Sequence, residues 1–98
     1  MKSYTKVYLK HFNYSESDFI PCEVCERKAV DIHHIQARSG NIKLLNDITN
    51  LMALCREHHV EYGDKKQHKE FLQKLHNQKL EIYKATGDWK KKNLWTTK

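Results

Sequence analysis

The sequence is poor in residues that interrupt regular structure, and it lacks the long apolar segments of membrane proteins. Three glycines and one proline in 98 residues leave no candidate for a linker, so we expect a single domain over residues 1–98. No segment approaches the ~18 consecutive apolar residues of a membrane helix. The opening residues MKSYTKVYLKHF lack the apolar stretch of a secretion signal, so we expect a reducing, cytoplasmic setting.

Cysteine is also scarce, and its number is odd. Three cysteines, at positions 22, 25 and 55, cannot all be paired within one chain, which argues against a disulfide framework. A domain of this length has only a modest core and often needs a disulfide or a metal to stabilise it. The spacing of Cys22 and Cys25 suits a metal better than a structural bridge.

The cysteines and one histidine form two pairs with the spacing of a zinc site. Cys22-x2-Cys25 and Cys55-x2-His58 together supply three thiolates and an imidazole, a common tetrahedral set for structural Zn²⁺. The fourth ligand is either His58 or His59, because both lie near the same helical face as Cys55, and we favour His58. The alternative, a redox pair with a buried Cys55, is less favoured since the surrounding sequence is not thioredoxin-like.

Positive charge is concentrated at one end of the chain. Residues 1–63 contain equal numbers of basic and acidic residues, so residues 64–98 carry the whole net charge of +6. This distribution favours a polyanionic partner, although a solvated lysine-rich helix would give the same pattern. We expect the core at about residues 20–63, followed by a basic helix and tail over residues 64–98.

The apolar pattern predicts a mixed α+β chain. It indicates helices over residues 3–12, 55–62 and 64–85 and extended segments over residues 29–35 and 50–54. The first of these also allows a strand, but its apolar residues share one helical face. In the last helix, capped by Asp64 and ended by Gly87, the core-facing positions are expected at Phe71, Leu72, Leu75, Ile82 and Tyr83, with Lys79 interrupting the stripe. His11, His68 and His76 have no partner at motif spacing, and we expect them at the surface.

Four polar residues stand in or beside apolar segments and have no place in the zinc site. They are His33, His34, Asn50 and His59. Neighbouring strand residues point to opposite faces, so His33 and His34 would face different surroundings. Asp31 shares a face with His33. It is either a further ligand, a partner of a ligand, or a surface residue, and we favour the surface.

The segments CEVC, AVDIHHI and NLMALCREHH, in this order over about residues 22 to 59, resemble the HNH endonuclease family in its zinc-bearing form. The resemblance implies an α+β fold with a small ββα-metal (His-Me finger) core, a structural zinc knuckle and flanking helices. It also implies a metal-dependent endonuclease that hydrolyses phosphodiester bonds in DNA.

The resemblance also implies a role for each of the four polar residues. His33 and His59 match ligands of a catalytic divalent ion, which would be Mg²⁺, Mn²⁺ or Ni²⁺. His34 matches the general base that activates water, and Asn50 matches the residue that holds the loop of the base in position.

Charge indicates how the chain would hold nucleic acid. We expect phosphate contacts from Arg38, Lys65 and Lys66, and the tail with Trp89 and Trp95 could add stacking, or could simply pack on the core or fray. Two other functions stay open. One is a non-catalytic, zinc-stapled nucleic-acid-binding module, and the other is a zinc domain that binds an acidic protein.

Overall fold

The computed structural model describes residues 2–36, 42–63 and 65–87. The described residues form three α-helices and two strands: α1 Ser3–His11, β1 Asp31–His34, β2 Leu51–Leu54, α2 Arg56–Tyr62 and α3 Lys69–Thr86. Short 3₁₀ turns cover Ile42–Leu44, Ile48–Asn50 and Lys66–His68. The order β1, β2, α2 confirms the α+β class and the ββα arrangement. No helix within the described ranges combines the length and the apolar character needed to cross a membrane.

The two strands pair antiparallel and are shorter than the sequence pattern predicts. His33 lies opposite Met52, and His34 lies opposite Leu51. All four residues of β2 are buried, because its alternate side chains enter two different apolar clusters. Leu51 and Ala53 pack with α1, whereas Met52 and Leu54 pack with cysteines and the first part of α3. The small sheet is therefore covered on both faces, and β2 is the centre of the fold.

Helix α1 ends in a hydrogen-bonded C-terminal motif. Asn13 adopts a left-handed conformation with φ 58°. The N–H of Tyr14 donates to the carbonyl of Leu9 at 2.8 Å, and the N–H of Asn13 donates to that of Lys10 at 3.2 Å. This is the Schellman pattern, completed by the buried pair Leu9 and Tyr14. After this motif the chain continues to the segment that contains Cys22 and Cys25. The aromatic residues of α1 face the core, as predicted.

Helix α3 differs from its prediction in its start and in its buried face. It begins at Lys69, after a 3₁₀ turn, and not at Asp64, which lies outside the described residues. Gly87 ends it with φ 76°, as expected. Phe71 was expected to face the core but is 44% exposed. His76 and Lys79 are 0% and 2% exposed, so the expectations of a surface histidine and of an interrupting lysine were both wrong.

A buried acidic partner explains why α3 can bury these two basic residues. The side chain of Glu23 is 1% exposed, and its Oε1 lies 2.8 Å from Nδ1 of His76. Nζ of Lys79 lies 4.0 Å from Oε2 of Glu23 and donates to the hydroxyl of Tyr8 at 2.9 Å. The rings of Tyr8, Phe12 and Tyr14 also surround this ammonium group, with centroids 4.6 to 5.6 Å away, which adds cation–π attraction.

The hydroxyl of Tyr8 completes this network. Burial, and after it the charge of Glu23, raises the pKa of Tyr8 well above its usual value. The hydroxyl therefore stays protonated and donates a hydrogen bond to Oε2 of Glu23. Of the other two histidines expected at the surface, His11 is exposed and His68 is half-buried against the ring of Tyr62.

The left-handed turn at Asn13 gives a direct test of the end of α1. Asn13→Val should lower the free energy of unfolding by about 1–2 kcal/mol, because a β-branched side chain is strained at positive φ. Asn13→Gly is the matched control and should be neutral or stabilising, since glycine adopts this conformation freely. Urea titration of the two variants measures the difference, and equal stabilities would contradict the assignment of this turn.

Candidate metal centres and active site

The first site begins with a tight knuckle between α1 and β1. Pro21 and Lys28 form an isolated antiparallel bridge, and the N–H of Cys22 donates to the carbonyl of Arg27 at 2.6 Å. The N–H of Glu26 donates to the carbonyl of Cys22 at 2.8 Å. Glu26 has a positive φ of 69°, which closes the turn. This geometry brings the side chains of Cys22 and Cys25 to the same side of the knuckle.

Cys55 and His58 approach the knuckle from the start of α2. Their ligand atoms and those of Cys22 and Cys25 all lie within 4.8 Å of one another. Sγ of Cys25 and Sγ of Cys55 are 3.8 Å apart, and Nδ1 of His58 lies 3.3 Å from Sγ of Cys55 and 3.8 Å from Sγ of Cys22.

These distances fit a tetrahedral zinc ion. Bonds of about 2.3 Å to sulfur and about 2.1 Å to nitrogen place two sulfurs about 3.8 Å apart and a sulfur and a nitrogen about 3.6 Å apart. The cluster is therefore compatible with zinc binding, and it uses His58 as the fourth ligand, as favoured from the sequence. Zinc held there would supply a crosslink between the knuckle and α2.

The protein shifts the pKa values of two of the thiols in opposite directions. Desolvation raises the pKa of the Cys25 thiol, but hydrogen bonds, first from the backbone and side chain of Arg27 and then with Cys22 and Cys55, outweigh it and lower that pKa to about 6. Nε of Arg27 lies 3.4 Å from Sγ of Cys25, and its guanidinium pairs with Glu57 on α2. Desolvation raises the pKa of the buried Cys22 thiol, whose sulfur accepts from the N–H of Val24 at 3.4 Å.

A second candidate site is formed by two imidazoles, one from β1 and one from α2. The ring centroids of His33 and His59 are 5.0 Å apart. His59 donates from Nδ1 to Oδ2 of Asp31 at 2.9 Å, and Arg56 lies 3.7 Å from the other oxygen of that carboxylate. The bond to Asp31 fixes the orientation of His59 and leaves Nε2 as the ring atom that could bind a metal. Asp31 is thus the partner of a histidine, and the favoured expectation of a surface residue was wrong.

Gly63 lies at a position where a side chain would collide with His59. A Cβ atom at position 63 would lie 2.4 Å from the carbonyl oxygen of His59, 2.9 Å from its ring and 3.4 Å from the ring of His33. Only glycine avoids these contacts, so the end of α2 is shaped around the two histidines. Within the described ranges, the cysteine-containing cluster is the one group of three or more convergent His, Cys, Asp or Glu ligands, and His33 and His59 form a pair beside it.

His34 has different surroundings from His33. Its Nε2–H donates to the carbonyl of Leu45 at 3.0 Å, since a carbonyl only accepts. The edge of its ring packs on Tyr4 of α1, with centroids 4.5 Å apart. When the ring is neutral, this bond places the proton on Nε2 and makes Nδ1 the basic nitrogen.

Asn50 connects the chain after β1 to the loop before β2. Its Oδ1 accepts from the N–H of Gln36 at 2.7 Å, and its Nδ2 lies 3.2 Å from the carbonyls of both Gln36 and Leu44. Asn50 is buried, so its amide replaces water as the partner of these backbone groups. It thereby ties together the residues that follow His34 and the loop that supplies the carbonyl bound to His34.

The residues expected to contact nucleic acid are only partly described. Lys65 and Lys66 are exposed on the turn between α2 and α3, whereas Arg38 and the tail with Trp89 and Trp95 lie outside the described residues. An open cleft of about 460 Å³ runs between the end of β1 and the first turns of α3. It is lined by Ile35, Gln36, Lys69, Glu70 and Gln73.

Comparison with known proteins agrees with this geometry. The family model of the HNH endonuclease matches residues 22–65, a range that contains both histidine pairs, Asn50 and the whole cysteine cluster. The match confirms the resemblance that the sequence pattern carries. No curated protein and no solved structure gives a significant match to the chain.

Removal of one thiolate tests the zinc cluster. Cys25→Ser should lose the bound zinc and lower the melting temperature by at least about 10 °C, because the free energy of metal binding is also free energy of folding. Lys28→Ala, at the exposed base of the same knuckle, is the control and should keep both. Zinc analysis and thermal denaturation give the two readouts. Full zinc occupancy in Cys25→Ser would contradict the assignment.

Proposed function

We propose, from the premise that residues 22–65 match the HNH endonuclease family, that this protein is a metal-dependent endonuclease that hydrolyses phosphodiester bonds in DNA. The whole of residues 1–98 would act as one domain. The observation that carries the proposal is the hydrogen bond between Nε2 of His34 and the Leu45 carbonyl, on a loop tied by Asn50. A general base must be presented in this way to accept a proton from water.

His34 is the proposed general base. An imidazole titrates near neutral pH, so its neutral form can remove a proton from the attacking water under ordinary conditions. The bond from Nε2–H to Leu45 also stabilises the imidazolium that forms when Nδ1 takes up that proton, because the charge strengthens the donated hydrogen bond. Asn50 acts through the backbone of Gln36 and Leu44, so it is a positioning residue in this proposal.

His33 and His59 would hold the catalytic divalent ion, which would be Mg²⁺, Mn²⁺ or Ni²⁺. Such an ion supplies positive charge at the scissile phosphate and at the leaving oxygen. Asp31 supports this role because its bond to Nδ1 of His59 fixes the direction of the ring. A Cβ atom at position 63 would lie 2.9 Å from the ring of His59 and 3.4 Å from that of His33, so glycine keeps this position clear of both rings.

The basic turn and helix after α2 form the proposed contact with DNA. Lys65 and Lys66 lie six and seven residues after His59, beyond the end of α2, and are exposed, so we expect them to contact phosphates that flank the cleavage site. Arg38, which follows the adjacent histidines in the sequence, is proposed for the same role. These contacts would position DNA without reading its sequence.

Plasmid cleavage tests the proposed reaction. The wild-type protein should cut supercoiled DNA with Mg²⁺, Mn²⁺ or Ni²⁺, and His34→Ala should lower the rate by at least about 100-fold while zinc content and melting behaviour are retained. His11→Ala is a matched control, because His11 is an exposed histidine outside the matched range. Undiminished cutting by His34→Ala would remove this residue from the mechanism. DNA binding without any cutting by the wild type would favour a non-catalytic binding module.

Salt dependence tests the proposed DNA contact. Replacement of Lys65 and Lys66 by alanine should weaken binding to all DNA sequences alike and should reduce the slope of log affinity against log salt by about 2. Replacement of Lys6 and Lys10, two exposed lysines of α1, is charge-matched and should leave the slope nearly unchanged. Fluorescence anisotropy with a short duplex measures both, and equal effects of the two double variants would contradict the proposed surface.

A further inference from the structure

We propose that α3, which lies outside the matched residues 22–65, holds the loop of Asn50 in its active position through Gln73 and His76. This inference rests on the proposed function, and it assigns both side chains as positioning residues. Neither belongs to the zinc cluster or to the imidazole pair.

Two consecutive backbone carbonyls before Asn50 are bound by α3. Nε2 of Gln73 donates to the carbonyl of Thr49 at 2.8 Å, and Nε2–H of His76 donates to the carbonyl of Ile48 at 2.6 Å. Residues 73 and 76 are three apart and share one helical face. The helix therefore presents two side-chain donors at the spacing of two neighbouring carbonyls.

The 3₁₀ turn before Asn50 is connected to two other parts of the fold. Asp47 caps the turn Ile48–Asn50 by accepting from the N–H of Thr49 at 3.0 Å, and the N–H of Asn50 donates to the carbonyl of Asp47 at 2.8 Å. These bonds define the shape of the turn. The side chain of Asn50 connects it to Gln36, which follows β1, and the donors from α3 connect it to a second element.

His76 is itself held at its other ring nitrogen. Nδ1 lies 2.8 Å from Oε1 of Glu23, within hydrogen-bond distance of this buried carboxylate. Glu23 lies in the zinc knuckle, between Cys22 and Cys25, and is also bound by Tyr8. His76 thus connects the knuckle to the loop of Asn50 through a single buried ring.

A shift of the loop would act on the proposed chemistry without touching substrate. The side chain of Asn50 forms hydrogen bonds with the backbone of Gln36 and Leu44. The carbonyl of Leu45, in the same loop, accepts from His34. Loss of a donor from α3 should therefore lower kcat, because the base is less well oriented, and should leave KM nearly unchanged.

Two substitutions of His76 separate the two bonds. The amide nitrogen of glutamine can replace Nε2 and keep the bond to Ile48, whereas that of asparagine can replace Nδ1 and keep the bond to Glu23. We expect kcat to fall roughly tenfold more in His76→Asn than in His76→Gln, at similar KM, in assays below the melting temperature of both. A role only in the buried charge network predicts the reverse order, because asparagine keeps the contact with Glu23.

Gln73 provides a variant with less risk to folding, because it is only half-buried. Gln73→Ala should lower kcat roughly tenfold with unchanged KM, zinc content and melting temperature. Gln78→Ala is the matched control, an exposed glutamine on the same helix, and should have no effect. Equal kcat in the two variants, together with equal kcat in the two His76 variants, would overturn the proposal.

Hydrogen exchange gives a readout that does not need catalysis. The N–H of Gln36 is bound by Oδ1 of Asn50, so its exchange should be faster in His76→Asn and Gln73→Ala than in His76→Gln and Gln78→Ala. The amides of the β1–β2 ladder should not differ in this way. If the wild type cuts no DNA, the proposed function fails, and the exchange of Gln36 alone decides whether α3 holds the loop. Equal exchange in all four variants would contradict that role.

Discussion

The convergence of three thiols and one imidazole on a single point is the constraint on which the arrangement of the site depends. Helix α2 has only seven residues and fully buries none of them, so apolar packing alone is a weak anchor for it. Cys55 at its start and His58 in its first turn tie it to the knuckle. Since His59 follows His58 directly, the direction of the zinc ligand also sets the direction of the neighbouring imidazole.

Adjacent histidines are used twice to separate two kinds of chemistry. On α2, one helical step directs His58 toward sulfur ligands and His59 toward Asp31 and His33. On β1, the alternation of a strand directs His33 toward α2 and His34 toward α1 and the loop of Leu45. Nitrogen and oxygen atoms thus surround the proposed catalytic site and sulfur dominates the cysteine cluster, a difference that would favour different metals.

The sequence was sufficient for the features that depend on local spacing. The zinc ligands, the ββα order and the end of α3 at Gly87 follow from short-range patterns. It was insufficient for side chains whose partners are distant in the chain. His76 and Lys79 look like surface residues on a basic helix, because their counter-charge, Glu23, lies more than fifty residues earlier. Asp31 is likewise explained only by His59, which no spacing rule connects to it.

A titration with Co²⁺, monitored by absorbance, tests most directly whether two distinct metal sites lie side by side. We expect two phases: one with the strong thiolate charge-transfer bands of a tetrahedral, sulfur-rich site, and one with the weak bands of nitrogen and oxygen ligands. His33→Ala should remove the second phase and keep the first. A single sulfur-type phase in the wild type, or a second phase unaffected by His33→Ala, would contradict the account.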